Sequence, residues 1–311
     1  MAATYSRIGC RCRGRRLRCL AVAGVGAVPQ FALVRHVDAP PLLVWRSLVA
    51  LLDRPVASGG AADATPRPSE VGGRVQFRLD DWELVERTDV SDAPRQRVYR
   101  VIEGAPVASY VGISDLTEVN DRCQITWTVM AEPKPGLEAE FAAFVARAEI
   151  AVTRGLDAVV RGVPSLDDDE AHHFEFERLL PVPPQRVWDA IESVYAGADY
   201  AQTVAGDPPY GQGAVIHYRY GDWVQNALVA TWRPPRRRVY EMLDGAPVRR
   251  YRGTTTVAEH PEGSRLRWEC AFALGADGGD SADVAEYVRL AHETVGRAVA
   301  RVEALALTPE A

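Results

Sequence analysis

The sequence predicts an α+β protein of two tandem domains, each a curved antiparallel sheet wrapped around one long C-terminal helix. Three observations predict it. The segment Arg97–Tyr110, RVYRVIEGAPVASY, returns as Arg238–Tyr251, RVYEMLDGAPVRRY, at an offset of 141 residues. The same offset pairs Asp81 and Trp82 with Asp222 and Trp223, and Trp127 with Trp268; upstream, with two residues of drift, PPLLVW ending at Trp45 pairs with PPQRVW ending at Trp188. A period of that length is far beyond the ~20–50 residues of solenoids and propellers and fits whole domains of ~100–150 residues. Second, each copy holds short runs in which apolar and polar residues alternate, as in half-buried strands. Third, each copy ends in a long run with apolar residues at helical spacing.

The elements follow the same order twice. A strand opens each copy, at 31–37 and 174–180. A Pro-Pro pair then starts a short helix, where proline suits the first turn. Trp45, Leu48, Val49 and Leu52 form its apolar face in copy one, and Val187, Ile191, Val194 and Tyr195 in copy two. A loop rich in Gly, Pro and Ala follows, over 53–73 and 197–213. The next strand sets Val75, Phe77 and Leu79 on one face, matched by Ile216, Tyr218 and Tyr220. Glu103-Gly104 and Asp244-Gly245 mark hairpin turns. Trp127 and Trp268 stand on the apolar faces of later strands. Phe141, Phe144, Val145, Ala148, Val152, Leu156 and Val159 stripe the first long helix, and Tyr287, Val288, Ala291, Val295, Val299 and Val302 the second. A sheet with one apolar face must cover it, and this helix is the available cover; between such layers small-molecule sites form. Domain one therefore spans 31–162 and domain two 174–307. The connection 163–173, with Pro164 and the acidic run 167–170, reads as an exposed linker.

Residues 1–30 read as a disordered basic leader. No Asp or Glu precedes Asp38, whereas seven arginines do. Cys10, Cys12 and Cys19 do not have zinc-site spacing, and the short glycine-rich apolar stretch after them makes a poor export signal. Cys123 and Cys270 lie inside strand patterns and read as small buried hydrophobes of a cytoplasmic protein. With 47% hydrophobic and 25% charged residues and a net charge of −6, the composition is that of a globular protein. It carries no basic stripe, so nucleic acid is not an expected partner. No run of 18 apolar residues occurs, so no membrane insertion is expected.

At this point the residues resemble a known family. P-P-x-x-V-W at the first helix (Pro40–Trp45, Pro183–Trp188), Gly73 and Gly213, Trp232–Tyr240, G-A-P-V-x-x-Y and Gly263–Trp268 resemble the START/Bet v 1-like helix-grip superfamily, within it the polyketide cyclase/dehydrase-like proteins of actinobacteria. The resemblance covers roughly residues 31–307 and is closer in copy two, because copy one has SDAPRQRVY (91–99) where copy two has WRPPRRRVY. It implies helix-grip domains, each with an internal cavity for an apolar or aromatic small-molecule ligand. Two-domain members are similar to aromatase/cyclases, which fold poly-β-ketone chains for aldol cyclisation and dehydration. It further implies a biosynthetic complex or an acyl carrier protein as partner. The shared motifs are turns and core residues, and fold does not fix function.

No nucleophile elbow, zincin motif, P-loop or dinucleotide fingerprint is present, and the six histidines are scattered. Neither a metal nor a cofactor is expected. The candidate chemistry lies where the copies differ: Phe77 and Leu79 become Tyr218 and Tyr220. With Tyr240 and Tyr251, copy two presents four phenols, able to donate to a developing enolate or alkoxide, or to serve as amphipathic core residues. Tyr218, Tyr251 and Asp222 are the candidate catalytic groups. Asp222, like Asp81, is either a pocket base or a turn residue. Tyr220, Trp223, Asn226, Tyr240, Trp268 and His292, with Tyr99, Tyr110 and Trp127 in copy one, are candidate binding residues. His292 faces Glu149 in the alignment of the long helices. Copy one, with Phe77 and Leu79, is expected to be the drier and mostly structural copy. The function expected is a cofactor-independent cyclase or dehydratase on a polyketide-like carbonyl substrate. The competing expectations are a carrier or sensor of a hydrophobic molecule, and a chaperone-like accessory protein.

Overall fold

The computed structural model describes residues 5–12, 15–22, 29–54, 66–120, 122–166, 171–197, 201–274 and 282–309. Strands β1 (Tyr5–Cys12) and β2 (Arg15–Val22) pair antiparallel as a two-stranded sheet. Ile8, Cys10 and Cys12 alternate with Arg7, Gly9 and Arg11 in the sequence, a strand period that the run of arginines obscures. The acidic linker run 167–170 lies outside the described residues.

Copy one comprises β3 (Pro29–Val37), α1 (Pro41–Leu52), β4 (Arg74–Leu79), β5 (Trp82–Asp92), β6 (Gln96–Glu103), β7 (Val107–Val119), β8 (Arg122–Pro133) and α2 (Glu138–Arg161). Its strands form a six-stranded sheet in the order β3-β8-β7-β6-β5-β4. Copy two repeats this with β9 (Ala171–Leu180), α3 (Pro184–Tyr195), β10 (Ala201–Val204), β11 (Val215–Tyr220), β12 (Trp223–Arg233), β13 (Arg237–Asp244), β14 (Arg250–His260), β15 (Gly263–Ala273) and α4 (Ala282–Leu307). Its sheet order, β10-β11-β12-β13-β14-β15-β9, is the same apart from the added edge strand β10. By contacts the chain divides into two compact units. The first is Met1–His36, Trp45–Thr117 and Gln124–Val160; the second is Val37–Val44, Glu118–Cys123 and Arg161–Ala311.

In each copy the long helix covers the sheet with its expected stripe. Phe144, Ala148, Val152, Leu156 and Val159 of α2 are buried, as are Tyr287, Ala291, Val295, Val299 and Val302 of α4. Both Cys123 and Cys270 are buried.

Two devices shape the sheets alike. β5 carries register shifts at Val85/Glu86 and Thr88/Val90, and β12 at the matching Asn226/Ala227 and Val229/Thr231; such bulges bend a strand and increase its twist. Glycine supplies the second device. A Cβ on Gly112 would lie 2.0 Å from the Tyr99 ring, and one on Gly253 2.0 Å from the Tyr240 ring. In each copy a tyrosine ring therefore lies flat over bare backbone on the neighbouring strand.

Candidate functional site

The pairing across β4, β5 and β6 builds a cavity of about 350 Å³ under α2 in copy one. β4 contributes Val75, Phe77 and Leu79 to its wall, and α2 contributes Phe144, Ala148 and Val152. The polar part comes from the middle strands. Glu86 is paired with Val75 on one side and Val101 on the other, so it shares their inward face. Arg97, Tyr99 and Val101 alternate on β6 and all line the cavity, joined by Tyr110 and Trp127. Copy one is therefore not the dry copy expected. Phe77 and Leu79 are too small to fill the space their tyrosine counterparts fill in copy two, and Glu86 and Arg97 bring charge into it.

The geometry of this polar end is specific. Arg97 is 1% exposed, and its Nη2 lies 3.8 Å from Glu86 Oε2, too far for a hydrogen bond. Its Nε donates to Thr88 Oγ1 at 3.1 Å, while Nη1 and Nη2 make no hydrogen bond. The guanidinium carbon sits 4.4 Å from the Tyr99 ring centroid, a cation–π contact. Trp127 Nε1 donates to Tyr99 Oη at 2.9 Å. Burial pushes the Glu86 carboxyl up to about 7, against the opposing pull of Arg97. Burial also raises the Tyr99 and Tyr110 phenols, which stay neutral donors. The result is a carboxyl balanced between its two forms beside a buried guanidinium with donors to spare.

Copy two brings most of the candidate residues together, but onto one another. Tyr218 stacks on Tyr220 at 6.3 Å and on Tyr240 at 5.9 Å, and Tyr251 stacks on Phe272 at 4.6 Å. Tyr287 meets Tyr220 and Trp223 edge-on, and its hydroxyl donates to Gln225 Oε1. Tyr240 and Tyr251 share a hydrogen bond at 2.9 Å, and Trp268 Nε1 donates to Tyr240 Oη at 3.3 Å. Arg238, the counterpart of Arg97, donates to Tyr218 Oη at 3.1 Å and lies 3.7 Å from the Tyr195 ring centroid. Where copy one has Glu86, copy two has the buried Ala227.

Three candidates lie elsewhere. Asp222 is exposed in the two-residue turn between β11 and β12, because Tyr220 pairs with Trp223 across it. Asn226 sits between the inward residues Gln225 and Ala227, and bonds His217 Nδ1 at 2.9 Å and Asp244 Oδ1 at 2.7 Å on the other face. His292 is exposed, packed 4.9 Å from Phe174 and 4.8 Å from Phe176 at the sheet edge. Glu86 and Arg97 were the residues the sequence reading passed over, although each had a signal. Arg97 stands two residues before the inward Tyr99, and Glu86 against Ala227 is as sharp a mismatch as Phe77 against Tyr218. Among the described residues no group of three His, Cys, Asp or Glu is placed to hold a metal, and no helix is long and apolar enough to cross a membrane.

Comparison with known proteins agrees with the duplication. A family model described as "Polyketide cyclase / dehydrase and lipid transport" matches twice, over residues 29–163 and 171–304. Among solved structures, the chain is similar to the di-domain ARO/CYC BexL from the BE-7585A biosynthetic pathway, at 18% identity and a TM-score of 0.43, covering 90% of this chain and 99% of that one. It is also similar to the di-domain ARO/CYC StfQ from the steffimycin biosynthetic pathway, at 13% identity and a TM-score of 0.38, covering 89% and 97%. A third, Ara h 8.0201, covers 45% of this chain and 99% of its own at 15% identity and a TM-score of 0.36. No curated protein matches the chain.

Proposed function

Because this chain belongs to the polyketide cyclase/dehydrase and lipid transport family in both of its repeats, we propose that it is a cofactor-independent cyclase or dehydratase. Its substrate on this reading is a polyketide-like, apolar carbonyl compound, and the chemistry takes place in the cavity of copy one. The observation that carries this is the Glu86–Arg97 pair at the polar end of that cavity. Aldol closure needs a base to take a proton from the carbon between two carbonyls, and donors to hold the resulting enolate. Glu86, balanced near neutrality, suits the first task. Arg97, with the neutral Tyr110 phenol, suits the second. The enolate carbon then bonds to a second carbonyl carbon of the folded chain. The new alkoxide takes back the proton that Glu86 holds, and in dehydration the regenerated carboxylate removes the second proton from that carbon and delivers it to the hydroxyl, which leaves as water as the C=C bond forms. The apolar walls select one folded conformer, which contributes to rate by proximity.

The test is incubation with a linear poly-β-ketone, following ring formation by absorbance and mass. Glu86→Gln and Arg97→Met are expected to slow turnover by about 100-fold or more. The copy-two variants Tyr218→Phe and Tyr251→Phe, and Asp222→Asn at its surface turn, are expected to stay within about twofold, the scatter of a site remote from the chemistry. The reverse pattern would move the reaction to copy two. The family also includes lipid transport, and the largely apolar lining of the cavity favours a carrier as second reading; binding without turnover is its outcome.

A further inference from the structure

Resting on the proposed function only for the location of the ligand, we propose that the copy-one cavity is an anion-anchored site. It binds an apolar molecule through a negatively charged oxygen head, a carboxylate or the enolate of a 1,3-dicarbonyl, held at Arg97, and Glu86 takes up a proton as that head arrives.

The argument starts from an imbalance of charge. Arg97 is buried, and two of its three nitrogens lack a hydrogen-bond partner although the side chain lines a cavity. A buried guanidinium calls for compensation by hydrogen bonds and by opposite charge. Among the described residues Glu86 is the one carboxylate on the cavity wall; it stands 3.8 Å off and makes no hydrogen bond to the guanidinium. Its compensation is partial, since burial pushes the carboxyl up to about 7 and so favours its neutral form. In the copy-two equivalent no carboxylate occupies this position, and Arg238 instead lies against Tyr195, Tyr240 and Tyr218. Copy one keeps its guanidinium beside open space, where a planar two-oxygen head fits the donor fork.

Proton uptake follows from the same geometry. Among the described residues the other titratable groups on the cavity are Tyr99 on β6, Tyr110 on β7 and Arg54 after α1; the lining residues from β4 and α2 carry none. The two phenols are held neutral by burial, and Arg54 is exposed. An anion placed at Arg97 takes that partner from Glu86 and adds a like charge beside it, so the carboxyl protonates. Binding therefore weakens as pH rises above about 7.

The experiment titrates the full chain with 2-naphthylacetic acid, its methyl ester and 1-phenylbutane-1,3-dione, by calorimetry in two buffers of different ionisation enthalpy. At about pH 6.5 the acid is expected to bind at least tenfold more tightly than the ester. Raising the pH to about 8.5 is expected to cost several-fold in affinity, with fractional proton uptake from the buffer that is small at the lower pH, where the Glu86 carboxyl is already mostly neutral, and larger between the two pH values. Arg97→Met and Arg97→Lys should remove most of the acid's advantage over the ester. Glu86→Gln should retain the acid and abolish the proton uptake. Ester binding equal to acid binding in the unmodified protein overturns the proposal, and that comparison needs no variant to fold. So does proton uptake that survives Glu86→Gln. If the acid binds but the dione does not, the head is a carboxylate; binding of both assigns the wider class. Failure of the catalytic reading is separate: a protein that passes these titrations and never closes a poly-β-ketone keeps the anchor and loses the enzyme.

Discussion

Glu86 couples the site to the stability of the fold. A carboxyl with an ordinary value of 4.5 that is held at about 7 in the folded protein binds its proton more tightly there than in the unfolded chain. Its contribution is therefore fully present below about pH 4.5 and is lost as pH climbs toward 7. The size of the loss is on the order of 3 kcal/mol at most, from the separation of the two values. Glu86→Gln should abolish this loss. Thermal melts from pH 4.5 to 8 should show the variant gaining on the unmodified protein through that window and holding a constant lead above it. A constant difference across the whole range would mean that Glu86 ionises as it does in water.

At the scale of elements, the two copies use one strand pattern to opposite ends. In copy two Tyr218 is 4% exposed and stacked between two other rings. Its counterpart Phe77 stands on the wall of an open cavity. Truncating a filled position loses both transfer energy and packing, whereas truncating a cavity wall enlarges space that already exists. Tyr218→Ala should cost about 3–5 kcal/mol, the range for large buried aromatics, and Phe77→Ala clearly less; urea denaturation of both variants measures the difference. Equal costs would mean that copy one's cavity collapses around the lost ring.

How far this was legible in the sequence depends on which physical quantity the residues encode. Alternation and helical spacing gave the order of elements, because burial of one face is written directly into residue type. The Pro-Pro starts and the glycines at hairpin turns encode backbone geometry as plainly. The site was only half legible. Tyr99, Tyr110 and Trp127 line the cavity as aromatic residues announce an inner face, whereas Arg97 lines it although a charged residue suggests an outer one. Phenols in copy two suggested polarity, yet their rings occupy volume first, and volume decides whether space remains for a ligand. The turn position of Asp222 and the outward side of Asn226 follow from strand register, fixed only once the partners are known.

On the scale of the whole molecule, duplication has produced two sheets of like order with unlike interiors. A ligand that binds the folded chain stabilises whichever part it contacts, by about 2.7 kcal/mol at a hundred times its dissociation constant. Hydrogen exchange on the full chain with saturating 2-naphthylacetic acid should slow in β4, β5, β6 and α2, and stay unchanged in β11, β12, β13 and α4. Slowing in both sets would place a second binding event in copy two.

The hydrogen bond from Trp127 to Tyr99 has an optical consequence. It fixes an indole, itself only 6% exposed, on the cavity wall beside Tyr99. Its match in copy two, Trp268, is shut among aromatic rings. Emission from Trp127 will therefore respond when an absorbing carbonyl compound enters, so the chain carries a built-in gauge of occupancy. A Trp127→Phe variant, with that gauge removed, identifies the signal as coming from this one indole.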